Sequence, residues 1–497
     1  MQKIKSCSLK NPITLILIAY SLIRILYCLI PVFNFDEAWF GSYMSEDYEK
    51  QTIQYLGYSP LFWLFGHFIL TQFNNLVLLR LIFICCYIAS IFLLYKQILK
   101  ENKDKTFSFL GLLLLISTPI SFYSNKIITP EFLQIILLTI SLNMLLKEKN
   151  KTNQVLAWII AGVGLGLKLH TLHFFGFLFL IKVCFLPEKN FKQIINLTKI
   201  SAPFSFLGIM IANFSIITDY QNTIKSISSN SHTANFDVLV IIKTFFTRPP
   251  FEIWDCVLQL FTPVGMVMPS LLILGLVVFF LSIFTKQYFL GAIFIFSVLA
   301  GIIFTGLGSE MSWFHISYLP ILISSIFWFK LPAEKSKKAI IFGLLFLAIG
   351  MNLVNSYQII SKNFKLRLAA YDEIKRREAN TSCLNDLIKE NKPNILLFGV
   401  VSYFNEKNLS YFDNNILAQE NKSTNINGTL GIEPTLNEFK QKEVKIIYSN
   451  MSFLNEFNSS YKADNFINKI EEILGRKNIE ITQIRSCGNI SNFLIRI

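Results

Sequence analysis

Apolar runs of membrane-crossing length recur from residue 12 to about residue 357 of this 497-residue chain, separated by short polar links. A membrane helix needs about 20 mostly apolar residues. A chain carrying many such runs is confined to a bundle of spanning helices, because backbone polar groups in lipid must be satisfied within the segment itself. The composition agrees: 53% of residues are hydrophobic, 48 are Phe, and only 16% are charged. A soluble chain carries about 25% charge. Beyond residue 357 the sequence turns polar, rich in Asn and Lys. It therefore divides into a transmembrane domain, 1–357, and a smaller domain, 358–497.

Eleven spans are predicted, at about 12–31, 76–98, 106–121, 130–146, 153–169, a sixth ending near Leu186, 199–217, 263–284, 288–306, 316–329 and 339–357. The apolar piece from Pro60 to Leu70 is short for a crossing and reads as an amphipathic helix lying in the interface. Gly162, Gly164 and Gly166 in the fifth span permit close helix approach. In the tail, 394–404, 444–450, IEITQIRS and NFLIRI read as strands, and FINKIEEILGRK (466–477) reads as a helix ended by Gly475. Together they imply a small α/β domain.

Lysines sort the links into two sets. Lys3, Lys5, Lys10, Lys96, Lys100, Lys103, Lys105, Lys147, Lys149, Lys151, Lys189, Lys192, Lys286, Lys335, Lys337 and Lys338 fall in alternate links, and the intervening links are nearly free of lysine. Positive charge marks the cytoplasmic side. With eleven spans the N-terminus is then cytoplasmic and the 358–497 domain is periplasmic or extracellular, on a bacterial-type inner membrane. The net charge of +14 is accounted for by these orientation lysines and a basic tail that can lie on anionic headgroups. No patch interleaves basic and aromatic residues in a nucleic-acid pattern. No cleavage site follows the first apolar run, which reads as a retained span. Cys383 and Cys487 are the only cysteines of the tail, and an extracytoplasmic location allows a disulfide between them. No Cys/His cluster suggests a metal site, although an acidic pair could hold a divalent ion. The tail's N-x-S/T sequons are what an Asn-rich segment produces by chance and carry no argument.

The odd polar residues all fall on the lysine-poor side. The first link there, FNFDEAWFGSYMSEDYEKQTIQYLGYSPL (33–61), sets the adjacent carboxylates Asp36 and Glu37 among aromatics just past the first span. It closes on Tyr58-Ser59-Pro60-Leu61. A carboxylate at this depth can take the proton from an acceptor hydroxyl; the bland alternative is a solvated acidic loop. Lys126 and Glu131 flank a second link, where they are either an interfacial ion pair or site residues. Lys168 ends an otherwise apolar helix, and an ionisable group in a span is a functional candidate. His170 and His173, at i, i+3 spacing, read as hydrogen-bonded interfacial histidines. Arg248, before Pro249-Pro250, could clamp a phosphate or stay solvated, and His315 is either a site residue or structural.

Taken in order, these motifs resemble the GT-C glycosyltransferases, in particular the protein O-mannosyltransferase family (family 39) and the lipid A aminoarabinose transferases. The matching features are Asp36-Glu37-Ala38 in the first outer link, the aromatic-Pro-Leu turn, Thr129-Pro130-Glu131, and GVGLGLKLHT with Lys168 and Thr171. Trp313, His315, Tyr318 and Pro320 complete the set over roughly residues 12–330. The resemblance implies a transferase that uses a polyprenyl-phosphate sugar donor and a lipid A, envelope glycan or protein acceptor. It makes Asp36 the base and gives the leaving phosphate to basic residues. Glu37, Tyr58, Lys126, Glu131, Lys168, Arg248 and His315 are then substrate-binding residues. One departure is that many relatives have a His or Lys before a proline pair, where this chain has Ser59 and one proline. No cofactor is required, since cationic side chains can stabilise the leaving group. The rival readings are a transporter of lipid-linked sugars, which would favour midplane charges and internal repeats, and a non-enzymatic envelope scaffold.

Overall fold

The computed structural model describes residues 12–29, 44, 59–73, 76–102, 104–118, 128–147, 150–168, 173–186, 190–214, 270–306, 318–392, 395–398, 410–413, 445–450, 480–487 and 490–496. Twelve helices are described: α1 Pro12–Leu29, α2 Pro60–Phe73, α3 Leu76–Glu101, α4 Lys105–Ser117, α5 Pro130–Lys147 and α6 Lys151–Leu167. They continue with α7 His173–Cys184, α8 Phe191–Ala212, α9 Ser270–Thr285, α10 Tyr288–Gly306, α11 Leu319–Ile326 and α12 Lys335–Asn391. Each predicted span overlaps one of these helices, several with shifted bounds, as Phe191–Ala212 against 199–217 and the eight-residue Leu319–Ile326 against 316–329. Val77–Glu101, Phe191–Ala212 and Lys335–Gln358 are long and apolar enough to cross a membrane by length and composition.

Local chemistry explains where the helices start. Proline opens α1, α2 and α5, where its fixed φ suits the first turn and its missing N–H costs nothing. Asp104, Asn150 and Asn190 cap α4, α6 and α8, accepting from the backbone amides of Phe107, Thr152 and Gln193 at 3.0, 2.9 and 2.9 Å. The helices pack around aromatics that include Trp158, Phe62, Phe83, Phe107, Phe132, Phe174 and Phe327, all fully buried. Outward faces are apolar as well. On α9, Leu272, Leu276, Phe279 and Ile283 form an exposed stripe at helical spacing, which suits contact with lipid.

One face of α2, with Phe62, Trp63, Ile69 and Leu70, is buried against the bundle. Its outward side exposes Leu64 and Phe68 together with the polar Thr71 and Gln72.

Polar contacts tie the helix ends into two layers. In the lysine-bearing layer, Asn102 donates to the Phe327 and Phe329 carbonyls, at 3.3 and 3.1 Å, and Lys338 pairs with Asp104 at 3.6 Å. In the same layer Lys182 donates to the Leu145 carbonyl at 2.5 Å, and the Lys330 amide donates to Gln287 at 2.7 Å. The described lysines of the orientation pattern sit at or beside helix ends here. The opposite layer joins Ser356 to the Ser117 carbonyl at 2.8 Å and Ser270 to Asn352 at 2.6 Å. It also holds the site described below.

α12 runs on unbroken to Asn391, so the boundary drawn at 357–358 lies within a continuous helix. Its polar second half has no Pro or Gly between Gly350 and Pro393 to stop it. Lys392, in the left-handed region at φ 47°, closes it. A five-stranded mixed sheet follows: β1 Ile395–Phe398, β2 Ser410–Asp413, β3 Lys445–Asn450, β4 Glu480–Cys487 and β5 Ile490–Arg496, in the order β2-β1-β3-β5-β4. β1 pairs parallel with β2 and β3, whereas β5 pairs antiparallel with β3 and β4. Four of the five strands are legible in the sequence. The four-residue β2 is too short to show alternation, and the predicted helix at 466–477 lies outside the described residues. A disulfide joins Cys383 on α12 to Cys487 at the end of β4, across 104 residues of sequence.

Candidate active site

Two of the eight residues singled out in the sequence, Glu131 and Lys168, lie among the described residues, and the structure brings them together. Asp36, Glu37, Tyr58, Lys126, Arg248 and His315 lie outside the described residues, as does His170. Within the 33–61 link, Met44 is fully buried and its carbonyl accepts from His67 Nδ1 of α2 at 2.8 Å. Met44 is therefore docked on α2.

Glu131 follows Pro130 in the first turn of α5, and Lys168 is the residue that ends α6. The two helices run antiparallel side by side, so residues 37 apart in sequence meet: Lys168 Nζ donates to Glu131 Oε1 at 2.5 Å. Each charge sits at the helix end whose dipole favours it, the carboxylate at an N-terminus and the ammonium at a C-terminus. Glu131 is fully buried and the Lys168 side chain is 11% exposed. At such burial each charge needs the other, because desolvating one alone is expensive.

The surroundings fix this geometry. Gln134, one turn along α5, donates to the Gly164 carbonyl at 2.9 Å. Asn213, which ends α8, donates to the Gly166 carbonyl at 2.9 Å. Both bonds satisfy carbonyls in the last turn of α6, which the helix itself leaves unpaired. Ser59, just ahead of α2, donates to the Ala212 carbonyl at 2.5 Å. Behind them α6 and α8 touch backbone to backbone. A Cβ added at Gly162 would strike the Ser205 carbonyl, and one at Gly208 would strike the Ile159 carbonyl. Gly162 and Gly166 face α8, whereas Gly164 faces Leu137 and Leu138 of α5. The three glycines thus serve two interfaces, and they carry Lys168 to Glu131.

Chemically, an ammonium with three donors can serve a carboxylate and a phosphate oxygen at once. Two further cations stand in the same half of the bundle. Arg24 of α1 is fully buried, with its guanidinium carbon 5.2 Å from the centroid of the Tyr87 ring. Tyr87 in turn meets Phe132, the neighbour of Glu131, at a ring separation of 5.5 Å. Arg80 is 5% exposed near the start of α3. From sequence Arg80 reads only as the entry to the second span, and Arg24 goes unremarked. The signal was present, since an arginine inside PITLILIAYSLIRILYCL is an intramembrane charge that needs a reason. His173 opens α7, and its sequence partner His170 lies outside the described residues. Among the described residues no group of three or more His, Cys, Asp or Glu could hold a metal ion.

The helical bundle, with its polar layer at one end, is followed by a small mixed sheet, and this arrangement has a solved counterpart. Over 97% of its length, and 97% of the length of the other chain, the protein superposes on ArnT from Cupriavidus metallidurans with a TM-score of 0.53 and 9% sequence identity. That crystal structure holds undecaprenyl phosphate, and the apo structure of the same ArnT matches equally well. At this identity the likeness is one of fold. No family model matches the chain, and no curated protein matches it in sequence.

Proposed function

We propose that the protein is a membrane glycosyltransferase that moves a sugar from a polyprenyl-phosphate carrier to a lipid A, envelope glycan or protein acceptor on the extracytoplasmic face. The observation that carries this reading is the buried Glu131–Lys168 pair at the lysine-poor end of the bundle. It sits in a fold shared over its whole length with an ArnT crystallised with undecaprenyl phosphate. The Glu131–Lys168 pair lies at the ends of its helices, as chemistry on an interfacial headgroup requires, whereas a transporter would favour midplane charges.

In this reading Asp36 takes the proton of an acceptor hydroxyl as that oxygen attacks the anomeric carbon. The bond from that carbon to the phosphate oxygen breaks, and its electron pair leaves with the lipid phosphate. Lys168, with Lys126, Arg248 or His315, stabilises the charge that grows on the phosphate. Arg24 and Arg80 add positive potential from α1 and α3. Glu37, Tyr58 and Glu131 bind or orient the substrate. An anionic phosphate acceptor would use Asp36 for positioning. The step requires no cofactor, since cationic side chains can stabilise the leaving phosphate, although an acidic pair could hold a divalent ion. The disulfide supports an extracytoplasmic location for the 358–497 domain, since such bonds persist in oxidising compartments. Eleven spans then leave the N-terminus in the cytoplasm of a bacterial inner membrane.

The test is Asp36→Asn in purified protein supplied with a polyprenyl-phosphate sugar and envelope acceptors. Turnover should fall by about 100-fold or more, the usual worth of a general base, with folded yield and donor binding retained. Wild-type turnover in that variant would remove Asp36 as the base. Envelope lipids and glycans compared by mass spectrometry with and without the gene would identify sugar and acceptor.

A further inference from the structure

The start of α5 holds two buried polar atoms that have no hydrogen-bond partner among the described residues. Thr129 is fully buried and stands at the capping position, where the Phe132 amide donates to its carbonyl at 3.2 Å. A threonine there ordinarily turns its hydroxyl inward to accept a backbone amide of the first turn. This one does not, and its Oγ1 has no hydrogen-bond partner. Two residues on, Glu131 is equally buried, with Oε1 on Lys168 and Oε2 on nothing. Buried polar atoms are nearly always hydrogen-bonded, so two orphans in one helical turn need an explanation.

Their chemistry defines what completes them. A carboxylate oxygen can only accept, whereas a threonine hydroxyl can donate. A single hydroxyl satisfies both, giving its proton to Glu131 and accepting one from Thr129. Neither a phosphate nor an apolar group can do so, because a phosphate would be repelled by the carboxylate. We propose that Thr129 and Glu131 form a hydroxyl-reading subsite for the sugar of the donor, beside the ammonium of Lys168. This assignment rests on the glycosyltransferase reading. It adds Thr129 as a specificity residue and a sugar ring hydroxyl as the group recognised. Glu131 then has two duties, holding Lys168 with one oxygen and the sugar with the other.

The experiment uses the full chain in detergent or nanodiscs, with affinity for two kinds of probe measured by microscale thermophoresis. One probe is undecaprenyl phosphate. The other is undecaprenyl phosphate carrying glucose, galactose, mannose or N-acetylglucosamine. Wild type should bind at least one glycosylated lipid about tenfold tighter than the bare lipid, the worth of one or two hydrogen bonds. Thr129→Val should abolish that gain and leave bare-lipid affinity unchanged, and Thr129→Ser should retain it. The isosteric valine removes only a hydroxyl that bonds to nothing, so the melting temperature should hold or rise. A lowered melting temperature would make the hydroxyl structural and overturn the subsite. So would equal losses for both probes, or a glycosylated panel bound no tighter than the bare lipid, which would leave a water site only. In those cases the glycosyltransferase reading survives if bare lipid binds. If wild type binds neither probe, both readings fall.

Discussion

Glu131 and Lys168 are each tolerable in the bundle only because of the other. Removing one partner strands a buried charge, whereas removing both leaves a merely polar contact. Lys168→Met should therefore cost more stability, by about 3 kcal/mol or more, than Lys168→Met combined with Glu131→Gln. Chemical unfolding of Lys168→Met, Glu131→Gln, the double variant and wild type in one detergent measures this. Additive costs would mean the pair is not coupled. At this scale the sequence was half legible. An ionisable residue in an apolar run marks Glu131 and Lys168 as unusual, and it should have marked Arg24 too. That Lys168 finds Glu131, and that Arg24 lies over Tyr87, depends on which helix faces which. Residue spacing within one helix does not contain that information.

Helix α6 shows how an element converts composition into position. Its glycines read from sequence as points of close approach, and they are that, but with different partners. Gly162 and Gly166 admit the backbone of α8, while Gly164 admits side chains of α5. Gly208 supplies the reciprocal gap on α8. Gly208→Ala should therefore be destabilising despite the gain in helix propensity, since the methyl meets a carbonyl that cannot move without shifting α6. Gly275→Ala on α9 is the control. Nothing lies within 4 Å of its added Cβ, so it should be neutral or stabilising by about 0.5–1 kcal/mol. Melting curves of the two variants should move in opposite directions. If Gly208→Ala is silent, the α6–α8 contact is looser than drawn.

Across the whole molecule the charges divide between two layers, and the 57-residue α12 connects the lysine-bearing end to the sheet. Its far end is pinned by the Cys383–Cys487 disulfide, with Leu387 and Ile388 buried beside it. A bridge closing about 100 residues contributes about 4–5 kcal/mol in the chain-entropy view. Cys383→Ser with Cys487→Ser should accordingly make the sheet region unfold or digest more readily, while the helical bundle melts as before. Limited proteolysis followed by mass mapping separates the two regions, and unchanged digestion of 395–496 would make the bridge dispensable. In intact cells an impermeant thiol reagent should label a single cysteine replacing the exposed Tyr357 from outside only, and those replacing Lys100 or Lys337 only after permeabilisation. The reverse labelling would invert the orientation.

What the sequence determined by itself is where the described helices lie along the chain and four of the five described strands. The helices follow from hydrogen bonds that close within four residues and, for several of them, from a cap or proline beside the start. What only the tertiary structure decided is the pairing of distant groups: Glu131 with Lys168, Arg24 with Tyr87, Asn213 with Gly166, Cys383 with Cys487. Such contacts depend on which faces of neighbouring helices can approach. That is settled by the bulk of side chains many residues away, most sharply where glycine lets two backbones touch.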